Sequence, residues 1–105
     1  MRKVKVLCPS GKQESFALAG FDTETYDSTA EAGESIRRAL EDRDASVLVI
    51  DQALVALVGN RIARAIDDSD EPLFLPIPMG VAAGLEREYL ERVIRRIVGY
   101  QVRLK

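Results

Sequence analysis

The sequence contains no histidine, no tryptophan and a single cysteine, Cys8. Without histidine the chain lacks the usual near-neutral general base, and one thiol excludes an internal disulfide and a multi-cysteine zinc site. An enzyme is thereby disfavoured, although a carboxylate pair or a phosphoryl-accepting side chain remains available for chemistry. Charge of one sign is also lacking: 15 Lys and Arg face 17 Asp and Glu, a formal charge of -2. Nucleic-acid binding calls for a cationic excess, so no nucleic-acid partner is expected. No run of about 18 apolar residues is present to span a bilayer. Met1-Arg2-Lys3-Val4-Lys5 leads into too short an apolar stretch for a signal peptide. A cytoplasmic protein with no direct membrane insertion is expected. Neither a GxGxxG nor a GxxxxGK loop occurs, which removes the common nucleotide-binding fingerprints, and no cofactor or metal is expected.

What is present suits one compact α/β unit. At 105 residues, 47% hydrophobic and 30% charged, a chain buries roughly 60 to 70% of its extended surface on folding. Val4, Val6 and Leu7, stopped by Pro9, Ser10 and Gly11, predict a first strand over residues 3–8. Phe16 to Ala19 predict a helix that Gly20 ends. Phe21 to Tyr26 mix aromatic, acidic and β-branched residues, as an edge strand with one less covered face would. Ser28 or Thr29 caps a helix with Ala32, Ile36, Ala39 and Leu40 inward and Glu31, Glu34, Arg37, Arg38 and Glu41 outward.

Ser46 to Ile50 is a continuous β-branched run that only a strand covered on both faces requires, so it is placed centrally. Asp51 ends it and caps a helix with Leu54, Val55, Val58, Ile62, Ala65 and Ile66 on one stripe. The acidic residues Asp67, Asp68, Asp70 and Glu71 mark a loop. Leu73 to Ile77 form a fourth strand, and Pro72, Pro76 and Pro78 put it at the edge, where the sheet stops. After Met79 to Gly84, a last helix is expected from about Leu85 to Val98, closed by Gly99. Its expected stripe is Leu85, Tyr89, Val93, Ile94 and Ile97, widened by Leu90. Strand and helix alternate four times, which implies parallel strands joined by right-handed crossovers. The expected fold is a four-stranded parallel sheet of order 2-1-3-4, doubly wound and receiver-like, with a C-terminal helix.

Ligands of such sheets bind beyond the carboxyl ends of the strands, which brings forward Cys8 to Gln13, Asp51, Gln52 and Pro78 to Gly80. Cys8, followed by a small-residue loop and a helix, sits where a helix N-terminus stabilises a thiolate. This loop is similar to the phosphocysteine loop of sugar phosphotransferase-system B components, but Glu14 puts an anion where a phosphoryl group would lie. The competing reading of Cys8 is a buried strand residue. Asp51 stands where a response-regulator receiver carries its phosphoacceptor. The acidic magnesium ligands of a receiver are replaced here by Cys8, Pro9 and Ser10, which leaves a helix cap as the better account.

The near-neutral total hides a segregation of charge. Residues 85–105 hold six basic side chains against three acidic ones, whereas residues 22–44 hold eight acidic against three arginines. A cationic C-terminal arm on an anionic body suits docking to an acidic protein surface, and self-packing with solvated arginines accounts for it equally well.

Several stretches together resemble the F subunit of the V-type (A/V-type) ATPases: Ser15-Phe16-Ala17-Leu18-Ala19-Gly20-Phe21, Val47-Leu48-Val49-Ile50, the strand ending Leu75-Pro76-Ile77-Pro78, and Leu90 to Gly99. The resemblance implies a non-catalytic central-stalk rotor subunit. Its partners would be the D-like central-stalk subunit and the catalytic A/B ring, and it would couple ATP hydrolysis or synthesis to ion transport. Residues 1–78 would form a receiver-like body. Residues 79–105 would be a connecting segment and a docking helix that swings out along the coiled coil of the D-like subunit. Tyr89, Arg92, Val93, Arg96 and Tyr100 are the expected partner-binding residues, since Tyr and Arg often dominate binding energy. The alternatives are a phosphotransferase-system B-like phosphoryl carrier using Cys8 and a degenerate receiver domain.

Overall fold

A computed structural model describes residues 4–42, 46–69, 72–82 and 84–103, with the side chains at 42, 87 and 97–103 outside the description. In chain order the elements are β1 (Val4–Pro9), α1 (Glu14–Leu18), β2 (Asp22–Tyr26), α2 (Thr29–Asp42) and β3 (Val47–Asp51). They continue with α3 (Gln52–Val55), α4 (Asn60–Asp68), β4 (Leu73–Ile77), α5 (Met79–Ala82) and α6 (Arg87–Arg103). The strands are all parallel in the order β2-β1-β3-β4, as the alternation of elements predicts. Val49 pairs with Val6 on one side and Leu75 on the other, which puts β3 inside the sheet.

Side chains of successive strand residues leave opposite faces, so each inner strand feeds two cores. On one face Val6, Cys8, Val47, Val49, Leu75 and Ile77 meet Phe16 of α1, Met79 and Ala82 of α5, and Leu90 and Ile94 of α6. On the other, Leu7, Leu48, Ile50 and Phe74 meet Ala32 and Ile36 of α2, Leu54 of α3 and Ile66 of α4. Val47, Val49 and Ile50 are fully buried, each contributing about 1.5–3 kcal/mol relative to an exposed side chain. The continuous apolar run at Val47–Ile50 is therefore a consequence of double coverage.

Local signals end and begin the helices. Ser28 Oγ accepts from the Glu31 N–H at 3.2 Å, while the Glu31 carboxylate reaches back to the Asp27 N–H at 3.3 Å. This is close kin to a capping box. Gly20 follows α1 with φ +91°, a left-handed conformation that a Cβ would disfavour.

Two sequence expectations need correction here. The single helix expected after Asp51 is two helices, because Gly59 adopts φ +90° and becomes the N-cap residue of α4. Leu54 and Ile66 still face the same core from either side of the break. The second correction concerns the last helix, which starts at Arg87 and runs through Gly99 to Arg103. Glycine in a helix interior costs about 1 kcal/mol, too little to stop a helix whose flanking residues remain favourable.

The exposed edge strand β2 carries a charge cluster. Glu24 Oε1 lies 2.9 Å from Lys5 Nζ and Oε2 lies 3.2 Å from Arg38 Nη2. Desolvation raises the Glu24 pKa, but the Ser35 hydroxyl, Lys5 and Arg38 outweigh it and hold the carboxyl below the ordinary 4.5. A depressed pKa means stability that is present above the unfolded value and lost as pH falls through the folded one. Glu24→Gln should therefore cost about 1 kcal/mol or less at pH 7. In urea titrations across pH, the gap to wild type should close as pH drops below 4.5.

Candidate functional site

The carboxyl edge of the sheet offers little to a ligand. Cys8 is fully buried, and desolvation pushes its thiol up to about 11, away from the thiolate a nucleophile needs. The amides behind it are spent within the loop. Ser10 N–H donates to the Tyr26 carbonyl at 2.9 Å, Gly11 N–H to Gln13 Oε1 at 2.7 Å, and Lys12 N–H to the Pro9 carbonyl at 3.1 Å. A phosphoryl cradle needs those donors pointing outward, so the phosphocysteine alternative lacks both nucleophile and cradle. Asp51 Oδ1 accepts from Ala53 N–H at 3.2 Å and serves as the N-cap of α3. Nearby, desolvation, with Asp51 and Cys8 adding, pushes the Tyr26 phenol up to about 12, so it stays protonated. Among the described residues no group of three His, Cys, Asp or Glu side chains is gathered to hold a metal ion.

The functional interest falls on α6. Its 17 residues span about 25 Å at 1.5 Å per residue. The helix lies on the sheet face beside α1, with Leu90 fully buried and Ile94 1% exposed. Arg95 crosses beside them, its guanidinium carbon 5.2 Å from the centroid of the Phe21 ring and its Nε 3.2 Å from Glu91 Oε1. That arrangement combines a cation–π contact with an i, i+4 ion pair.

The expected partner-binding residues divide between faces. Tyr89 is 51% exposed, and Arg92 and Arg96 are exposed beside it on the outer side. Val93 is half-buried at the margin, and the side chain of Tyr100 lies outside those described. The inward stripe is centred on Leu90 and Ile94 rather than on Tyr89, which corrects the phase read from the sequence. A four-residue step from Leu90 to Ile94 carries two purely apolar side chains, whereas Tyr89 tolerates water at its phenol. Arg95 against Phe21 was not anticipated, and residues so distant in sequence leave no periodic signal. No carboxylate among the described residues pairs with Arg92 or Arg96, in contrast to Arg37, which pairs with both Glu34 and Glu41 on α2.

The geometry defines a small parallel α/β protein without a reaction centre among its described residues, presenting one exposed aromatic-and-arginine helix face. The chain belongs to the family described as "ATP synthase (F/14-kDa) subunit", whose model matches residues 12–97. That family is a structural part of the synthase and not a catalytic enzyme. No curated protein sequence matches the chain. Among solved structures, the F subunit of the V-type ATP synthase from Archaeoglobus fulgidus is similar, with a TM-score of 0.66 and 23% identity over 72% of this chain and 96% of that one. At that identity the likeness concerns the fold, and it agrees with the F-subunit resemblance carried by Ser15–Phe21 and Leu75–Pro78. No helix among the described residues is long and apolar enough to cross a membrane.

Proposed function

We propose that the chain is a non-catalytic central-stalk subunit of a V-type ATPase, docking on the D-like stalk subunit within the catalytic A/B ring. In that position it couples ATP hydrolysis or synthesis to ion transport, in the cytoplasm and peripheral to the membrane through the complex. Family membership supports a place in the synthase. The observation that carries the docking surface is the outer face of α6, where Tyr89, Arg92 and Arg96 are exposed and the arginines meet no described carboxylate. Unpaired arginines beside an aromatic ring suit a surface that a partner desolvates. Residues 79–105 are then the docking segment on a 1–78 body, with Val93 and Tyr100 flanking the contact.

On isolation from native membranes the full chain should co-purify with the D-like stalk protein. Arg92→Glu together with Arg96→Glu should weaken that association by at least about tenfold, since opposing like charges cost several kcal/mol at an interface. Far-UV circular dichroism and thermal midpoint should stay those of wild type, because both side chains are solvated. Wild-type chain that retrieves no ATPase component sinks the proposal. Deleting residues 85–105 is a poorer test, because it removes Leu90 and Ile94 from the core.

A further inference from the structure

Resting on the reading above for its setting in the ATPase, we infer that the chain has a second docking surface, on the sheet face opposite α6. It is formed by Leu57, Arg61 and Arg64, and its occupant is a carboxylate-bearing surface of a neighbouring subunit. Ile66 of α4 belongs to the core on one side of the sheet and Leu90 of α6 to the core on the other. A helix laid against α6 therefore leaves α4 uncovered.

The surface is apolar at one end and cationic at the other. Leu57 is 63% exposed, in the turn between α3 and α4. One exposed leucine on its own signifies little. This one is pinned: its N–H donates to the Leu54 carbonyl at 2.9 Å, and the N–H of Val58, which packs on the core, donates to the same carbonyl at 3.1 Å. Ala53 and Ala56 just before it are exposed as well. Past Gly59, Arg61 and Arg64 stand exposed on α4, three residues apart, with Cβ atoms about 5–6 Å from one another. Neither meets a carboxylate among the described residues, although Asp67 and Asp68 lie three and four positions beyond Arg64. Arg37 on α2 and Arg95 on α6 do find carboxylates at those spacings.

The charges of α4 also run against its own dipole. Where α2 opens on Glu31, α4 has no acidic residue in its first turn and no basic one in its last. Arg61 sits at the positive end and Asp67 and Asp68 at the negative end, both unfavourable to the helix by itself. Two arginines one turn apart repel as well. Carboxylates of a neighbour relieve both strains and suit guanidinium groups held on a fixed element. The fixing shows at Gly33 of α2, packed so closely on α4 that an added Cβ would stand 3.1 Å from Ile62 Cδ1. An anionic membrane fits less well, because Glu31, Glu34 and Glu41 of α2 are exposed on the same side of the sheet and repel it. A second copy also fits less well, since its Glu34 and Glu41 are already taken by Arg37.

The test places a photoreactive benzoylphenylalanine at position 57 of the full chain, combines it with the other purified subunits of the soluble ATPase sector, and irradiates the assembly. Mass spectrometry identifies the joined peptides. Position 57 should join one segment of another subunit, with at least two Asp or Glu within about one helical turn of the joined residue. Arg61→Glu with Arg64→Glu should cut the yield by at least about tenfold while the chain stays in the complex through α6. The thermal midpoint of that free double variant should be no lower than wild type, because an acid in the first turn agrees with the dipole. Irradiated alone the chain should give no dimer, and with vesicles of phosphatidylglycerol and phosphatidylcholine no lipid adduct. Assembly without a cross-link from position 57, a joined segment free of acids, a dimer, a lipid adduct or an unchanged yield from the double variant each overturns the inference. So does a lowered midpoint, since the arginines then serve the fold. A chain that does not assemble with the ATPase subunits at all refutes the reading on which the inference rests, and the inference with it.

Discussion

Phe16→Ala should lower the unfolding free energy by about 3–5 kcal/mol, the largest loss expected from one neutral substitution in this chain. The ring is fully buried in the cluster that also holds Val6, Cys8, Val49, Leu90 and Ile94. Its helix, α1, has only five residues, too few to stand without tertiary contacts. Removing the ring therefore takes away the main anchor of α1 and leaves a void under α6. Domains of this size have about 5–15 kcal/mol in total, so the variant should be substantially unfolded at 37 °C if the wild type lies near the lower end. Urea titration checks this, with a fall in midpoint of about 2 M or more for a slope near 1.5 kcal/mol per M. Leu18→Ala is the control two residues away, because Leu18 is 56% exposed; it should change stability by about 0.5 kcal/mol or less. Similar losses from the two substitutions refute the orientation of α1.

The second large effect belongs to Leu90→Ala, expected to cost about 2–5 kcal/mol. Leu90 is fully buried although it lies in the C-terminal helix, beside the exposed Tyr89 and Arg92 face. A helix that spends its time away from the sheet contributes almost nothing to stability through this side chain, whereas a seated one contributes the full loss. The same titration, read alongside Tyr89→Ala as an exposed comparison, separates the two. A cost below about 1 kcal/mol for Leu90→Ala places α6 off the sheet in the free chain.

Much of the fold was legible because the physics behind it is local or periodic. Val47 to Ile50 had to be inside, since so many β-branched and aliphatic residues in a row suit only a strand covered twice. Asp51 and Gly20 announced an N-cap and a helix end through side-chain chemistry and backbone freedom. Pro76 pointed to the edge. What was missed depended on choices between near-equal local options. Gly59 could continue a helix at a small cost or turn left-handed; it turns, and Leu54 and Ile66 on either side of the break still join one cluster. Gly99 posed the same choice and resolved the other way.

The phase of α6 was harder, because Tyr89 and Val93 extend the apolar stripe on paper, and it takes the body to show that Leu90 and Ile94 are the pair that is buried. The presence of the last helix and the segregation of charge along the chain were readable in advance. The separation of an inner from an outer face was not, since it needs the body as a reference. The Cys8 alternative failed for a reason that single-sequence reading weighs poorly: whether loop amides face outward or are used at home.

The two borders of the sheet close it in different ways. At β2 the Lys5, Glu24 and Arg38 charges ring the outermost strand, and any further strand laid alongside would have to strip water from them. At β4 the exposed Pro76 withholds a donor from the rim. Neither margin is a template for growth, so neighbouring copies are discouraged from zipping together into ribbons even at high local concentration.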